Sequence, residues 1–188
     1  NIGGFEFLSC IPGSIGGAVK MNCGCFGHDI SQIIKSVEAI DFNGNIKEIP
    51  SEKINFSYRS CNLNKDLIIT SVKFKGHLSN KDNIKKKQLE MIEKKKRSQP
   101  NKIKNCGSTF KNTKNKKAWE LIKDSNCDNM SLGGAKVSEK HCNFLINDGS
   151  ATSSEIEELI YKVKKKVLES TGVNLDLEII VMGEANKK

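Results

Sequence analysis

Alternation of apolar and polar positions predicts a β-rich first part of the chain. Residues 36–42 alternate, and a second apolar run follows at 46–49. Asn43-Gly44 lies between the two runs, and Asn-Gly in that position is the typical turn of a β-hairpin. The strongly apolar run at 67–74 predicts a further strand, and the shorter run at 5–8 predicts another.

A helical spacing of apolar residues predominates after residue 76. The best-defined helix is predicted to start at Ser154, with Glu157 completing a capping box, and to end at Gly172. In the final apolar run the odd-numbered residues share one face of a strand, so Glu178 points to the other face. The remaining helices are predicted at 82–97 and 118–124, and the strands at 142–146 and 175–182.

The charge balance is basic, with 31 lysine and arginine residues against 22 acidic residues and a net charge of +9. Only Arg59 and Arg97 are arginines, and aromatic residues make up 6% of the chain. Nucleic-acid surfaces favour arginine with interleaved aromatics, so the lysine runs indicate solvated helix faces and we expect no nucleic-acid partner. An anionic small-molecule substrate also fits the charge.

The seven cysteines are scattered along the chain, and Cys23 and Cys25 have no second pair or histidine at zinc-binding spacing. We therefore expect reduced thiols and no metal site. The sequence contains no run of about eighteen apolar residues, so we expect no membrane span.

Glycine is concentrated in Ile11-Pro12-Gly13-Ser14-Ile15-Gly16-Gly17-Ala18, and this glycine segment continues to Asn22-Cys23-Gly24. Such a cluster marks unusual backbone dihedrals or a close approach of the backbone to a bulky group. The spacing matches neither the P-loop nor G-x-G-x-x-G. Taken alone, the segment is either a structural turn or a surface whose N–H groups contact a phosphate or a flat cofactor ring.

Three polar residues are candidates for chemistry, and each also has a structural explanation. Ser108 follows a glycine in a polar segment, where a turn serine is common. Arg59 could bind a carboxylate through its guanidinium or simply lie at the surface. Glu178 lies in an apolar run, so either its face is solvated or it has a partner. A catalytic role for Cys106 is disfavoured, because no histidine lies nearby in the sequence.

The order of five motifs changes this picture. They are I-P-G-S-I-G-G-A-x-x-x-N at 11–22, S-Y-R-S at 57–60, G-S-T-F-K-N at 107–112, S-E-K-H-x-N-F-L-I-N at 138–147 and L-x-L-E-I-I-x-x-G at 175–183. In this order the chain resembles the UDP-N-acetylenolpyruvoylglucosamine reductase family, flavoenzymes of peptidoglycan precursor synthesis. The resemblance covers essentially all 188 residues, and the S-E-K-H segment is similar to the shorter, second structural type of the family.

The resemblance implies an NADPH-dependent, FAD-containing oxidoreductase. In the family, hydride passes from NADPH through FAD to the enolpyruvyl ether of a UDP-sugar, and a proton then completes UDP-N-acetylmuramate. By resemblance, Ser108 is the proton donor, Arg59 holds the substrate carboxylate, and Glu178 lies across the carboxylate from Arg59. The residues expected to contact FAD are Gly13, Ser14, Gly16, Gly17, Ala18 and Asn22. The residues expected to contact substrate are Tyr58, Lys111 and Asn112, with Lys95 or Arg97 at the diphosphate.

The resemblance also implies an α+β fold with two domains. We expect residues 1–79 to be the C-terminal part of an FAD-binding α+β domain and residues 80–172 to be a smaller α+β substrate-binding domain. Residues 173–188 are expected to be a strand that returns to the FAD-binding region, followed by a tail. The family's N-terminal flavin segment, with its G-x-G-S-N loop, has no counterpart here, so the chain resembles the C-terminal two-thirds of the enzyme. We expect these residues alone to bind FAD poorly and to be inactive.

We expect a cytoplasmic monomer whose partners are the UDP-sugar and NADPH, with no nucleic acid and no membrane. Two alternatives stay open. Another FAD-dependent oxidoreductase of the same fold would lack the combination of Ser108, Arg59 and Glu178. A non-enzymatic basic binding domain, for example for nucleic acid, would show salt-sensitive retention on RNA and no flavin absorbance.

Overall fold

The computed structural model describes residues 1–183, which form two compact units divided between Lys95 and Lys96. Helices and antiparallel sheets occur in the chain, which confirms the α+β prediction. Within the described residues, no helix is both long enough and apolar enough to cross a membrane. The helices are α1 (Ile15–Lys20), α2 (Lys81–Ser98), α3 (Ala118–Asp124) and α4 (Ser153–Thr171), and short 3-10 helices lie at Glu6–Cys10, Ile30–Gln32 and Ser51–Lys53.

The first unit is built on a three-stranded antiparallel sheet with β4 in the centre. The predicted hairpin is confirmed, because β4 pairs with β5 and places Val37 opposite Ile49, while Val72 lies opposite Val37 on the other side. The turn is fixed by the Asp41 carboxylate, which accepts hydrogen bonds from the backbone N–H of Asn43 (3.0 Å) and of Asn45 (2.9 Å). The strands of this unit are β1 (Ile2–Gly3), β2 (Gly24–Cys25), β3 (His28–Asp29), β4 (Ile34–Ile40), β5 (Ile46–Pro50), β6 (Phe56–Ser57), β7 (Ser60–Cys61), β8 (Ile68–Phe74) and β9 (His77–Leu78).

The strand predicted at 5–8 is wrong, because this stretch forms the 3-10 helix Glu6–Cys10. The Glu6 carboxylate accepts a hydrogen bond from the Gly4 N–H at 2.8 Å and stabilises a turn that a strand would not allow. The same helix buries Phe7 in the first core. The apolar character of this stretch was therefore read correctly, but local side-chain bonding decided its conformation.

Helix α2 begins one residue before the predicted Asp82, because the Asn80 side chain accepts a hydrogen bond from the Asp82 N–H at 2.7 Å. The side chain of Met91 packs against the first core, and the Lys95 ammonium donates to the Cys10 carbonyl. These contacts assign most of α2 to the first unit, and the chain divides into its two compact units at 95/96. The boundary at 79/80 between the expected FAD-binding and substrate-binding domains stays a prediction. The roles of the two units in binding FAD and substrate stay predictions.

The second unit combines a four-stranded antiparallel sheet, in the order β10-β13-β12-β11, with α3 and α4. The inner face of α4 provides Leu159, Ile160, Val163 and Val167 to the core, and each of these side chains is buried. The predicted bounds of α3 are confirmed. The strands are β10 (Lys104–Ser108), β11 (Ser131–Leu132), β12 (Ala135–Val137) and β13 (Phe144–Asn147).

Two predictions for the C-terminal part need correction. Helix α4 is capped by Thr152 and Glu155, because the Thr152 hydroxyl accepts from the Glu155 N–H at 3.2 Å and the Thr152 N–H donates to the Glu155 carboxylate at 2.8 Å. Ser154 and Glu157 are therefore not its capping box, although the predicted end at Gly172 is confirmed by a left-handed φ of 72°. The strand predicted at 175–182 is reduced to a single β-bridge between Leu177 and Phe110.

Candidate functional site

The glycine segment forms an exposed turn followed by the short helix α1. Gly13 has a φ of +135°, a conformation open to glycine and rare for other residues, and a Cβ there would meet no atom within 4 Å. The Ser14 hydroxyl accepts a hydrogen bond from the Gly17 N–H at 3.1 Å and caps α1. Gly16 packs against Ile69 of β8, where an added Cβ would lie 3.4 Å from the Ile69 Cβ. The segment thus presents bare backbone to solvent on one side and contacts the sheet on the other.

Asn22 connects the glycine segment to the hairpin of β6 and β7. Its side chain is buried, its Nδ2 donates to the Ser57 carbonyl at 3.1 Å, and its Oδ1 accepts from the Ser31 N–H at 3.1 Å. Both ends of this carboxamide are therefore bonded to protein backbone. The predicted FAD contact of Asn22 stays a prediction, and what the structure assigns to this residue is support of the hairpin that carries Arg59.

Arg59 lies in the two-residue turn between β6 and β7. Its φ of +56° is left-handed, which costs a non-glycine residue about 1 kcal/mol or more. The conformation is held by the guanidinium, whose Nη2 donates to the Gly24 carbonyl at 3.0 Å and whose Cζ lies 4.8 Å from the centre of the Tyr58 ring. Backbone strain of this kind is common at functional sites.

Three cysteines of the first unit lie in or near the glycine segment, and all are free thiols. Burial raises the pKa of the Cys25 thiol to about 11, and it also raises the pKa of Cys23. Thiols with raised pKa values are poor nucleophiles at neutral pH. Cys23 and Cys25 therefore act as packing residues of the first core. No group of three or more potential metal ligands occurs among residues 1–183.

Ser108 is the last residue of β10, beyond a break in the regular pairing with β13. The register shifts between Asn105 and Ser108, and Gly107 adopts a φ of +84°. The Asn105 carboxamide accepts a hydrogen bond from the Gly107 N–H at 3.0 Å and stabilises the bulge. Bulges of this kind redirect a side chain at the edge of a sheet and are frequent beside active sites.

Glu178 lies next to the segment that follows Ser108. The Glu178 N–H donates to the Thr109 carbonyl at 2.9 Å, and the Lys111 N–H donates to the Asp176 carbonyl at 2.8 Å. Together with the bridge between Phe110 and Leu177, these bonds form a short antiparallel ladder between residues 109–111 and 176–178. The structure therefore brings two of the three predicted catalytic residues, Ser108 and Glu178, onto adjacent segments of the second unit.

The predicted substrate residues are distributed over both units. Lys111 belongs to the short ladder, and the Asn112 Oδ1 accepts a hydrogen bond from the Ala118 N–H at 3.0 Å at the start of α3. In the first unit Lys95 donates to the Cys10 carbonyl, whereas Arg97 is an exposed residue of the second unit. Tyr58 packs with Arg59.

One residue with a clear structural role at this site was missed by the sequence analysis. Asn143 is buried, its Oδ1 accepts from the Phe110 N–H at 3.0 Å, and its Nδ2 donates to the Phe110 carbonyl at 2.8 Å. The Thr109 N–H donates to the Asn143 carbonyl at 2.7 Å. The sequence shows a carboxamide directly before the apolar run of β13. Nothing in the neighbouring sequence indicates that its partner is Phe110, more than thirty residues earlier.

The comparisons with known proteins agree with the motifs. Residues 99–182 match the family model for UDP-N-acetylenolpyruvoylglucosamine reductase, C-terminal domain. A protein of that name from Pelagibacter ubique is 47% identical over 184 residues, which cover 96% of this chain and 61% of that protein. The corresponding protein from Orientia tsutsugamushi is 44% identical, with 98% of this chain and 61% of that protein covered.

A solved structure supports the same relationship. The crystal structure of the UDP-N-acetylenolpyruvylglucosamine reductase from Thermus caldophilus matches with a TM-score of 0.83 at 31% sequence identity, over 94% of this chain and 63% of that chain. The resemblance found in the motifs is thus confirmed: this chain is a relative of the UDP-N-acetylenolpyruvoylglucosamine reductases over nearly its whole length, and it spans about three-fifths of theirs.

Proposed function

We propose that this chain carries the catalytic residues of an NADPH-dependent, FAD-containing reductase that converts UDP-N-acetylglucosamine enolpyruvate to UDP-N-acetylmuramate in peptidoglycan precursor synthesis. The observation that carries the proposal is the ladder that joins Glu178 to the residue after Ser108, with 2.9 Å between the Glu178 nitrogen and the Thr109 oxygen. The names of the relatives support the reaction. The net charge of +9 suits an anionic substrate such as a UDP-sugar. We also propose a cytoplasmic location.

The glycine segment fits a contact with FAD. The exposed backbone at Gly13 has room for a bulky group, because a Cβ there would have no neighbour within 4 Å. Gly13, Ser14, Gly16, Gly17 and Ala18 are the residues that would line the cofactor with backbone. When bound, FAD supplies the hydride that it has received from NADPH.

Three polar residues of the chain would then stabilise the negative charge of the substrate and supply the proton that completes the product. The Arg59 guanidinium, which donates to the Gly24 carbonyl and lies over the Tyr58 ring, would bind the carboxylate of the enolpyruvyl group as its negative charge increases. The Ser108 hydroxyl would donate a proton to the C2 carbon of that group, and Glu178 would contact the same carboxylate. These are also the three residues that the motifs single out.

The Ser108→Ala substitution tests the proposal in the FAD-loaded protein that carries this chain. Reduction of the flavin by NADPH should be unchanged, whereas its reoxidation by the enolpyruvyl substrate should slow by about 10²- to 10⁴-fold, the usual contribution of a positioned proton donor. Stopped-flow absorbance of the flavin separates the two steps. Ser131→Ala, at an exposed serine of β11, is the matched control and should behave as the unmodified protein. Equal loss of both steps in Ser108→Ala would refute the assignment.

A further inference from the structure

The segment at residues 109–111 is held from two sides, and the two sides are chemically different. One side is the backbone ladder with residues 176–178. On the other side β13 begins only at Phe144, and the Asn143 carboxamide replaces the missing strand by bonding both the N–H and the C=O of Phe110. A carboxamide has the same donor and acceptor as a peptide group, so it can pair with a residue as a neighbouring strand would.

The environment of Asn143 makes this pairing obligatory. Asn143 is only 4% exposed, and Phe110, which it pairs with, is 1% exposed. A buried carboxamide or peptide group without a partner is costly, so neither side of the pair can be replaced by water without a local opening. Because both ends of the side chain bond to Phe110, Asn143 is not available as a substrate ligand.

The consequence reaches two of the proposed catalytic residues. Phe110 lies two residues after Ser108, and its bridge to Leu177 sets the position of Glu178. If the carboxamide no longer holds Phe110, the segments that carry Ser108 and Glu178 are no longer held in a fixed position relative to each other. Small displacements of catalytic groups have large effects on rate.

We propose that Asn143 is a positioning residue of the site: its carboxamide fixes Phe110 and thereby holds Ser108 and Glu178 in register for proton delivery. The inference rests on the proposed function for its catalytic part. Its structural part, the dependence of the 109–111 and 176–178 ladder on Asn143, can be measured without any turnover.

The first experiment measures amide hydrogen exchange by NMR in this chain and in Asn143→Asp. An ionised aspartate keeps the acceptor for the Phe110 N–H but loses the donor to the Phe110 carbonyl. The amides of Lys111 and Glu178 should exchange faster by about tenfold or more. The Val137 and Cys127 amides, which donate to the Met130 carbonyl at 2.9 Å and the Ile122 carbonyl at 3.0 Å, should keep their protection. Unchanged exchange at Lys111 and Glu178, or loss of protection throughout the second unit, would overturn the proposal.

Asn147→Asp is the matched control. Asn147 is the last residue of β13, the strand that Asn143 directly precedes, and its Nδ2 donates to the Ala151 carbonyl at 3.1 Å, so the same substitution removes a comparable bond away from Phe110. The control should affect amides of the 147–151 turn and leave Lys111 and Glu178 unchanged. An equal effect of both variants on Lys111 and Glu178 would also overturn the proposal.

The second experiment uses the FAD-loaded protein and follows the two steps of flavin turnover. Asn143→Asp should slow reoxidation by the enolpyruvyl substrate by about 10- to 100-fold and leave reduction by NADPH within about twofold. A residue that supports only the general fold would lower both steps together, and that result would overturn the positioning role. If the unmodified protein does not turn over this substrate, the proposed function fails, and the exchange data still decide whether Asn143 holds the ladder.

Discussion

Gly133 lies in the turn between β11 and β12, and its replacement by alanine should destabilise the second unit by two separate mechanisms. Its φ of +52° is left-handed, so any Cβ costs about 1 kcal/mol. An added Cβ would also overlap the carboxylate of Glu155, since even the more distant oxygen, Oε2, would lie only 2.9 Å away. That carboxylate completes the capping box of α4 by accepting from the Thr152 N–H.

The side chain of Glu155 is flexible and should move away from the added Cβ. That movement removes the hydrogen bond between its carboxylate and the Thr152 N–H, so α4 loses its cap. Loss of an N-terminal cap typically costs about 1 kcal/mol. Together with the backbone strain, we expect Gly133→Ala to lower the free energy of unfolding by about 2 kcal/mol. Gly172→Ala isolates the strain, because Gly172 has a φ of +72° and a Cβ there would meet no atom within 4 Å. It should cost about 1 kcal/mol.

Urea unfolding followed by fluorescence measures both variants, because Trp119 is the single tryptophan of the chain and lies on α3 in the second unit. A double-mutant cycle with Glu155→Ala sharpens the result. Once the carboxylate is absent, Gly133→Ala should cost only the strain of about 1 kcal/mol. Equal losses for Gly133→Ala and Gly172→Ala, or full additivity in the cycle, would refute the reasoning.

Three further predictions follow from burial in the two units. Leu159→Ala should lower the free energy of unfolding by about 2–5 kcal/mol, because Leu159 is fully buried. Leu168→Ala on the same helix should cost about 1 kcal/mol at most, because Leu168 is 45% exposed. Urea unfolding measures both variants. Iodoacetamide at about pH 8 should label the exposed Cys106 well before Cys25, because Cys25 is partly buried and burial raises its pKa to about 11. Mass spectrometry of timed samples would contradict this if Cys25 reacted as early as Cys106. Burial lowers the pKa of His141, so the unfolded state takes up a proton near pH 6.5 that the folded state resists, and stability should fall as the pH decreases below that value. The fall in the urea midpoint between about pH 7.5 and about pH 5.5 should be smaller in His141→Gln, and an equal fall in both proteins would exclude His141 as a cause.

The sequence predicted well those elements whose signal is local and periodic. The β4–β5 hairpin followed from alternation around Asn43-Gly44, and the C-terminal end of α4 followed from Gly172. Where a side chain competes with the backbone, the prediction failed. Glu6 turns an apolar run into a 3-10 helix, and Thr152 caps α4 two residues before the serine that the pattern favoured.

The candidate site was only partly accessible from the sequence, for a different physical reason. Motifs identified Ser108 and Glu178 one at a time, but their proximity depends on a ladder between segments far apart in the chain. The apolar alternation of the final segment placed Leu175 on the same face as Leu177, and Leu175 is buried. The alternation could not indicate that, within residues 175–183, the regular strand pairing would be reduced to one bridge at Leu177. The support from Asn143 is likewise a long-range contact.

The ladder between residues 109–111 and 176–178 also determines when the second unit can be completed during synthesis. The three-stranded sheet of the first unit needs nothing after Phe74 of β8, so it can form soon after that strand leaves the ribosome. Ser108 is translated early in the second unit, but the partner of its neighbouring residues arrives only with Leu177. Until then the edge at Phe110 is unpaired on that side, and the nascent second unit has an open strand edge that is a target for chaperones or for mispairing. Translation speed between these two points should therefore affect the yield of folded protein more than translation speed within the first unit.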